Sequence, residues 1–137
     1  MSRAVLDASA AVHLVMNGDH APSLAERLGE SAIVTAPSLF CSEVANALWK
    51  YVRAGKLSLD LASQRVEECI GLTDSLVPER SLVQEALVAA ARQQRSVYDM
   101  MYAVLARRSG AAVITMDRPL ALRLEEMEIA SYCPIVE

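Results

Sequence analysis

The chain has 137 residues, 53 % of them apolar and 22 % charged, with a formal net charge of −4. That length is most simply one domain, residues 1–137, able to bury about two-thirds of its unfolded surface. No apolar run approaches the ~18 residues a membrane span requires, and a single Trp and a single Phe argue against a stacking platform for nucleic-acid bases.

The charge balance gives no support for a strong nucleic-acid binder, although the 13 basic residues can still gather on one face. The opening Met-Ser-Arg-Ala-Val-Leu-Asp has no secretory pattern. Cys41, Cys69 and Cys133 are odd in number and widely spaced, which fits neither a disulfide framework nor a thiolate zinc site. Together these features lead to the expectation of a reducing, cytoplasmic setting.

In chain order, residues 3–7 read as a buried strand, and Ser9 is expected to cap a short helix carrying Leu14 and Val15. Residues 21–29 suit a second helix, with Pro22 in its first turn, and residues 31–35 a second strand. Pro37 is expected to open a long helix through Arg53, closed by Gly55. Ser58 caps a helix to about Leu72, and residues 75–77 form a third strand. Residues 79–94 read as one Ala-rich helix, and Ser96 caps another to about Arg108, ended by Gly110. A strand at 112–115, a helix at 118–127 and a strand at 129–133 complete the chain. Such alternation implies an α/β fold with a parallel sheet covered on both faces, and ligands in such sheets sit beyond the carboxyl ends of the strands.

Four acids stand out. Asp7 ends the run Ala4-Val5-Leu6, and with Ser9 expected as the cap it is left free for chemistry. Glu43 shares a helix face with Leu39, Phe40 and Ala47, where an ionised carboxylate is costly unless paired or metal-bound. Asp99 lies in the first turn of its helix, where Ser96-Val97-Tyr98-Asp99 approximates a capping box, so a structural role explains it equally well. Asp117 follows the strand at 112–115 and could simply cap the helix containing Pro119. If the fold gathers all four, they form a carboxylate cage for a hard divalent cation. Two like charges ~4 Å apart repel by about 4 kcal/mol at an effective dielectric of 20, so without a cation at least one acid should hold a proton.

The segments Val5-Leu6-Asp7-Ala8-Ser9, Glu43-Val44-Ala45-Asn46-Ala47-Leu48, Val97-Tyr98-Asp99-Met100-Met101-Tyr102 and Ile114-Thr115-Met116-Asp117-Arg118 resemble, in order and spacing, the signature segments of PIN domains. The VapC-type toxins of bacterial and archaeal toxin–antitoxin pairs are the best match, and the likeness extends to Ala36-Pro37-Ser38-Leu39 and over essentially the whole chain. The resemblance implies a three-layer α/β/α fold around a five-stranded parallel sheet and a metal-dependent endoribonuclease. It makes Asp7, Glu43, Asp99 and Asp117 the acidic tetrad for Mg²⁺ or Mn²⁺, with Asp7 and Asp99 expected nearest the ion. Ser9 and Thr115 become supporting hydroxyls, and Asn46 lies one turn beyond Glu43. RNA as substrate and an antitoxin as partner come from the resemblance alone. Met100 and Met101 depart from it, standing where small residues are common.

Lys50, Arg53 and Lys56, or Arg92 and Arg95, are placed to steer a phosphate backbone, although each set also reads as a solvated helix face. Leu14, Val15 and Met16, with Leu48, Tyr51 and Val52, are expected to offer apolar surface for a homodimer or an antitoxin helix. His13 and His20 lack partners at zinc-ligand spacing. A phosphoryl-accepting receiver domain needs a lysine near the strand ends, whereas Lys50 and Lys56 lie in and just after a helix. A haloacid-dehalogenase-like phosphatase needs an acid where Ser9 stands. A catalytically silent binding module on the same fold is the remaining alternative.

Overall fold

Short apolar segments bounded by turn residues and amphipathic helices alternate along the chain, and the computed structural model, which describes residues 2–136, turns that alternation into one sheet. The strands are β1 (Arg3–Leu6), β2 (Ile33–Pro37), β3 (Ser75–Val77), β4 (Ala112–Ile114) and β5 (Ser131–Tyr132). The helices are α1 (Ala8–Val15), α2 (Ala21–Gly29), α3 (Leu39–Arg53), α4 (Leu59–Gly71), α5 (Val83–Gln93), α6 (Val97–Ser109) and α7 (Arg118–Glu126). Met1 and Glu137, at the ends of the expected 1–137 domain, lie outside the described residues.

The sheet order is β3-β2-β1-β4-β5, and every neighbouring pair is parallel. From β1 the chain moves outward through β2 to β3, then crosses back to β4 and β5 on the other side. Right-handed crossovers then put α1–α4 on one face and α5–α7 on the other. Consistent with this, α1 packs on α2, α3 and α4, while α6 packs on α5 and on β1, β2 and β4. The switch of direction opens a crevice beyond the carboxyl ends of β1 and β4. The register Val5 to Val113 and Leu6 to Ile114 brings the next residues, Asp7 and Thr115, side by side at that rim.

The core runs through both layers and includes Val5, Leu6, Phe40, Val44, Leu48, Met100, Val104, Ile114 and Leu124, each no more than 1 % exposed. Met100 and Met101 are buried, so their bulk beside Asp99 fills core and not the crevice. Among the described residues no helix is long and apolar enough to cross a membrane, and Cys41, Cys69 and Cys133 are free thiols.

Three expectations change. Pro37 closes β2 instead of opening the next helix, because it pairs in register with Val77. Ala36, as the residue before a proline, is held extended, and a missing N–H is tolerated at a strand end. The 79–94 helix divides into a 3₁₀ turn at Glu79–Ser81 and α5, the turn tightened by the Ser81 hydroxyl donating to the Pro78 carbonyl at 2.8 Å. The expected apolar surface loses one member: Leu48 is wholly buried, whereas Leu14, Val15, Met16, Tyr51 and Val52 pack on the core and remain partly exposed. The large apolar side chains left exposed include Trp49, Leu59 and Leu61.

Phe40, fully buried in the first turn of α3, anchors the helix that carries Glu43. Phe40→Ala is expected to cost about 3–5 kcal/mol of unfolding free energy, read from urea denaturation by circular dichroism. A loss within about 0.5 kcal/mol, the usual range for exposed positions, would contradict this packing.

Candidate metal centre

Asp7 is the first residue after β1, and it, not Ser9, caps α1: its Oδ1 accepts from the Ala10 backbone N–H at 3.0 Å. The helix begins at Ala8, too early for Ser9 to precede it, so the reading that left Asp7 uncommitted is corrected. Ser9 instead donates its hydroxyl to Asp7 Oδ1 at 2.7 Å. Thr115, just past β4, donates its hydroxyl to Asp7 Oδ2. Three donors therefore hold a carboxylate that is only 5 % exposed, which is the condition under which a buried acid is tolerated.

The same two hydroxyls fasten the loop after β4. Ser9 Oγ accepts from the Met116 N–H at 2.9 Å, and Thr115 Oγ1 accepts from the Asp117 N–H at 2.9 Å. Asp117 is thereby fixed, and its Oδ1 caps α7 by accepting from the Leu120 N–H at 3.0 Å. Its capping role and its position at the rim are compatible, since capping occupies one oxygen and leaves Oδ2 with no protein hydrogen bond among the described residues.

Glu43 projects from α3 and Asp99 from the first turn of α6, from opposite layers. The Tyr102 hydroxyl donates to Glu43 Oε1 at 2.6 Å. Arg95 Nη2 meets Asp99 Oδ2 at 2.6 Å, and the Asp99 N–H donates to the Ser96 hydroxyl that caps α6. All four acids line one cavity of about 250 Å³, together with Ala8, Ser9, Asn46, Ala47, Lys50 and Tyr102. Three other hollows, two of about 440 Å³ and one of about 260 Å³, are larger, but none touches the four acids.

Burial dominates the electrostatics. It pushes the Asp7 carboxyl from its ordinary 3.8 to about 6, against the three hydrogen bonds that favour its ionised form, and Asp117 adds a smaller push. Crowding is expected to leave at least one acid protonated; the Asp7 carboxyl is raised only to about 6, with desolvation and not charge crowding as the leading cause. Glu43 is also raised, by burial first, against the stabilising Tyr102 bond and with Asp99 and Glu79 adding to the rise. The Tyr102 phenol is raised by burial and by Glu43, so it stays a permanent donor.

The donor set suits a hard divalent cation: carboxylate oxygens on separate, rigid elements around one cavity. Among the described residues no three His, Cys, Asp or Glu side chains stand together as a ready-made ligand group. Asp99 is turned to Arg95 and Glu43 to Tyr102.

Of the other expected site residues, Ser9, Asn46, Thr115 and Lys50 are at the cavity or bonded to its acids. Arg53, Lys56 and Arg92 are exposed but do not line it. Arg95, expected to face a phosphate backbone, is bound to Asp99. Tyr102, which bonds Glu43 and lines the cavity, is not among the expected site residues. A signal existed, since Tyr102 lies three residues after Asp99 on one helix face, and a buried tyrosine hydroxyl needs a partner.

Residues 4–123 match the PIN domain family. Ribonuclease VapC3 of Pyrobaculum aerophilum is 31 % identical over 119 residues, covering 85 % of this chain and 91 % of that protein. Ribonuclease VapC3 of Mycobacterium tuberculosis is 32 % identical over 121 residues, covering 85 % of this chain and 84 % of its own length. Among solved structures, PAE2754 from Pyrobaculum aerophilum superposes with a TM-score of 0.70 at 26 % identity, covering 92 % of this chain and 93 % of that one.

A folded-state Asp7 carboxyl at about 6 against 3.8 binds its proton more tightly folded than unfolded. Its contribution is fully present below the unfolded value and is lost as pH rises through about 6, a span of about 3 kcal/mol. In EDTA, chemical denaturation from pH 4 to 7 is expected to show Asp7→Asn lacking this decline and gaining on the wild type toward neutral pH. Parallel pH curves for the two proteins would contradict the assignment.

Proposed function

This chain belongs to the PIN-domain family, and from that premise we propose that it is a divalent-metal-dependent endoribonuclease, the toxin of a type II toxin–antitoxin pair. The observation that carries the reading is the meeting of Asp7, Glu43, Asp99 and Asp117, drawn from four separate segments, around one cavity with Lys50 at its edge. Similarity to ribonucleases over most of the chain supports the substrate class.

Asp7, Glu43, Asp99 and Asp117 would hold Mg²⁺ or Mn²⁺, Asp7 and Asp99 most closely. When bound, such an ion lowers the pKa of water and neutralises charge on a phosphate undergoing displacement. The protein supplies position. Ser9, Thr115 and the Ala10 N–H orient Asp7, Tyr102 orients Glu43, and the cap to Leu120 fixes Asp117. Near neutral pH Asp7 is mostly ionised and available as a ligand. Lys50 draws the phosphate toward the cavity, Asn46 offers a neutral contact beside it, and the exposed Arg53, Lys56 and Arg92 add a weaker, longer-range attraction. The working protein is read as a single cytoplasmic domain, a homodimer in solution, held in check by its antitoxin.

Purified protein is expected to cut structured or unstructured RNA internally with Mg²⁺ or Mn²⁺ and to stop in EDTA. Asp99→Asn should lower the rate by on the order of a hundredfold or more. Equal residual cleavage by wild type and Asp99→Asn would mark a contaminant and favour the catalytically silent module. In a separate measurement, Mn²⁺ at about one hundred times its Kd should stabilise the fold by about 2.7 kcal/mol. An unchanged melting curve in millimolar Mn²⁺ contradicts the metal centre.

A further inference from the structure

We propose that Arg95 is a built-in counter-ion that occupies Asp99 in the metal-free protein and must release it for the centre to load, so that it sets the divalent-cation concentration at which the site fills. The inference rests on reading the four acids as a metal centre. Of those acids, only Asp99 is ion-paired among the described residues. The other ion pairs join residues that do not line the cavity.

The contact is set by the backbone and is not a chance meeting of two long side chains. Gln94 adopts a left-handed conformation, φ 55 and ψ 43, at the end of α5. The Arg95 N–H returns to the Ala90 carbonyl at 3.3 Å. One residue later, Ser96 caps α6 through the Asp99 N–H at 3.1 Å. The segment between Arg95 and Asp99 is therefore pinned at both ends, and the guanidinium is delivered to Asp99 Oδ2 at 2.6 Å. The two side chains are 23 % and 27 % exposed, which leaves them only partly screened by solvent.

The pose is also incomplete. Arg95 Nε is buried with no hydrogen-bond partner, so the guanidinium grips Asp99 through one nitrogen instead of the paired contact its planar fork favours. A donor buried without a partner weakens the hold. A divalent ion at Asp99 would set like charge against the guanidinium in a partly enclosed site, so the two occupancies compete. Apparent metal affinity is then reduced by the fraction of protein in which Arg95 holds Asp99.

Mn²⁺ binding by isothermal titration calorimetry at fixed ionic strength, on wild type, Arg95→Gln and Arg95→Lys, tests this. Arg95→Gln is expected to bind up to about fivefold more tightly, and Arg95→Lys, which keeps the charge, to remain near wild type. Equal or weaker binding by Arg95→Gln overturns the inference while leaving the metal centre standing. Absence of Mn²⁺ binding by all three overturns the metal centre itself and the inference with it. A second readout needs no variant to gain affinity: in ¹H–¹⁵N spectra, the Arg95 Nε–H signal, assigned by its loss in Arg95→Lys, should shift and exchange faster with water as diamagnetic Mg²⁺ is added. A signal indifferent to saturating Mg²⁺ also overturns it.

Discussion

A single buried carboxylate organises the rim of this sheet. Asp7 must sit beyond β1, because the parallel pairing of β1 with β4 ends at Leu6 and Ile114, and there it is shut away from water. Its oxygens are tolerated only because Ser9, Ala10 and Thr115 donate to them. Those bonds then dictate more than the state of one side chain. They start α1, hold the end of β4 against the end of β1, and, through the second bonds of Ser9 and Thr115, fix Met116 and Asp117.

With that corner set, the other acids follow from layer packing. α3 on one face and α6 on the other approach the crevice at the switch of sheet direction. They meet through the Tyr102–Glu43 bond, which spans 59 residues of sequence. Each acid is thus held by a different device: a hydroxyl network, a helix cap, a phenol, an arginine. The arrangement is costly when metal-free, as the upward pull on both Asp7 and Glu43 records. A cation would relieve it, and the same burial that raises these acids would strengthen their hold on positive charge.

The parts of this design legible in the sequence are those set by local rules. Alternating segments implied the parallel sheet. Asp7 and Asp117 were readable as acids just past strand ends, and Glu43 as an acid on an apolar helix face. Where two rules competed, reading failed. Asp7 and Ser9 are both good caps two residues apart, and the choice depends on whether the helix starts at residue 8 or 10, which β1–β4 pairing decides. Pro37 suits a helix start or a strand end, and its pairing with Val77 is a contact between segments 40 residues apart. Arg95 lies four residues before Asp99, a readable spacing, but only the left-handed turn at Gln94 converts that spacing into a contact.

The central claim is that these four carboxylates surround a site for a divalent cation. Anomalous diffraction from a crystal equilibrated with Mn²⁺ tests it most directly. The account predicts a manganese peak inside the cavity, within ~2.0–2.3 Å of Asp7 or Asp99 oxygens as oxygen-ligated ions of this class require, with Glu43 and Asp117 turned toward it. A peak confined to the surface, or none in the cavity at saturating Mn²⁺, would contradict it.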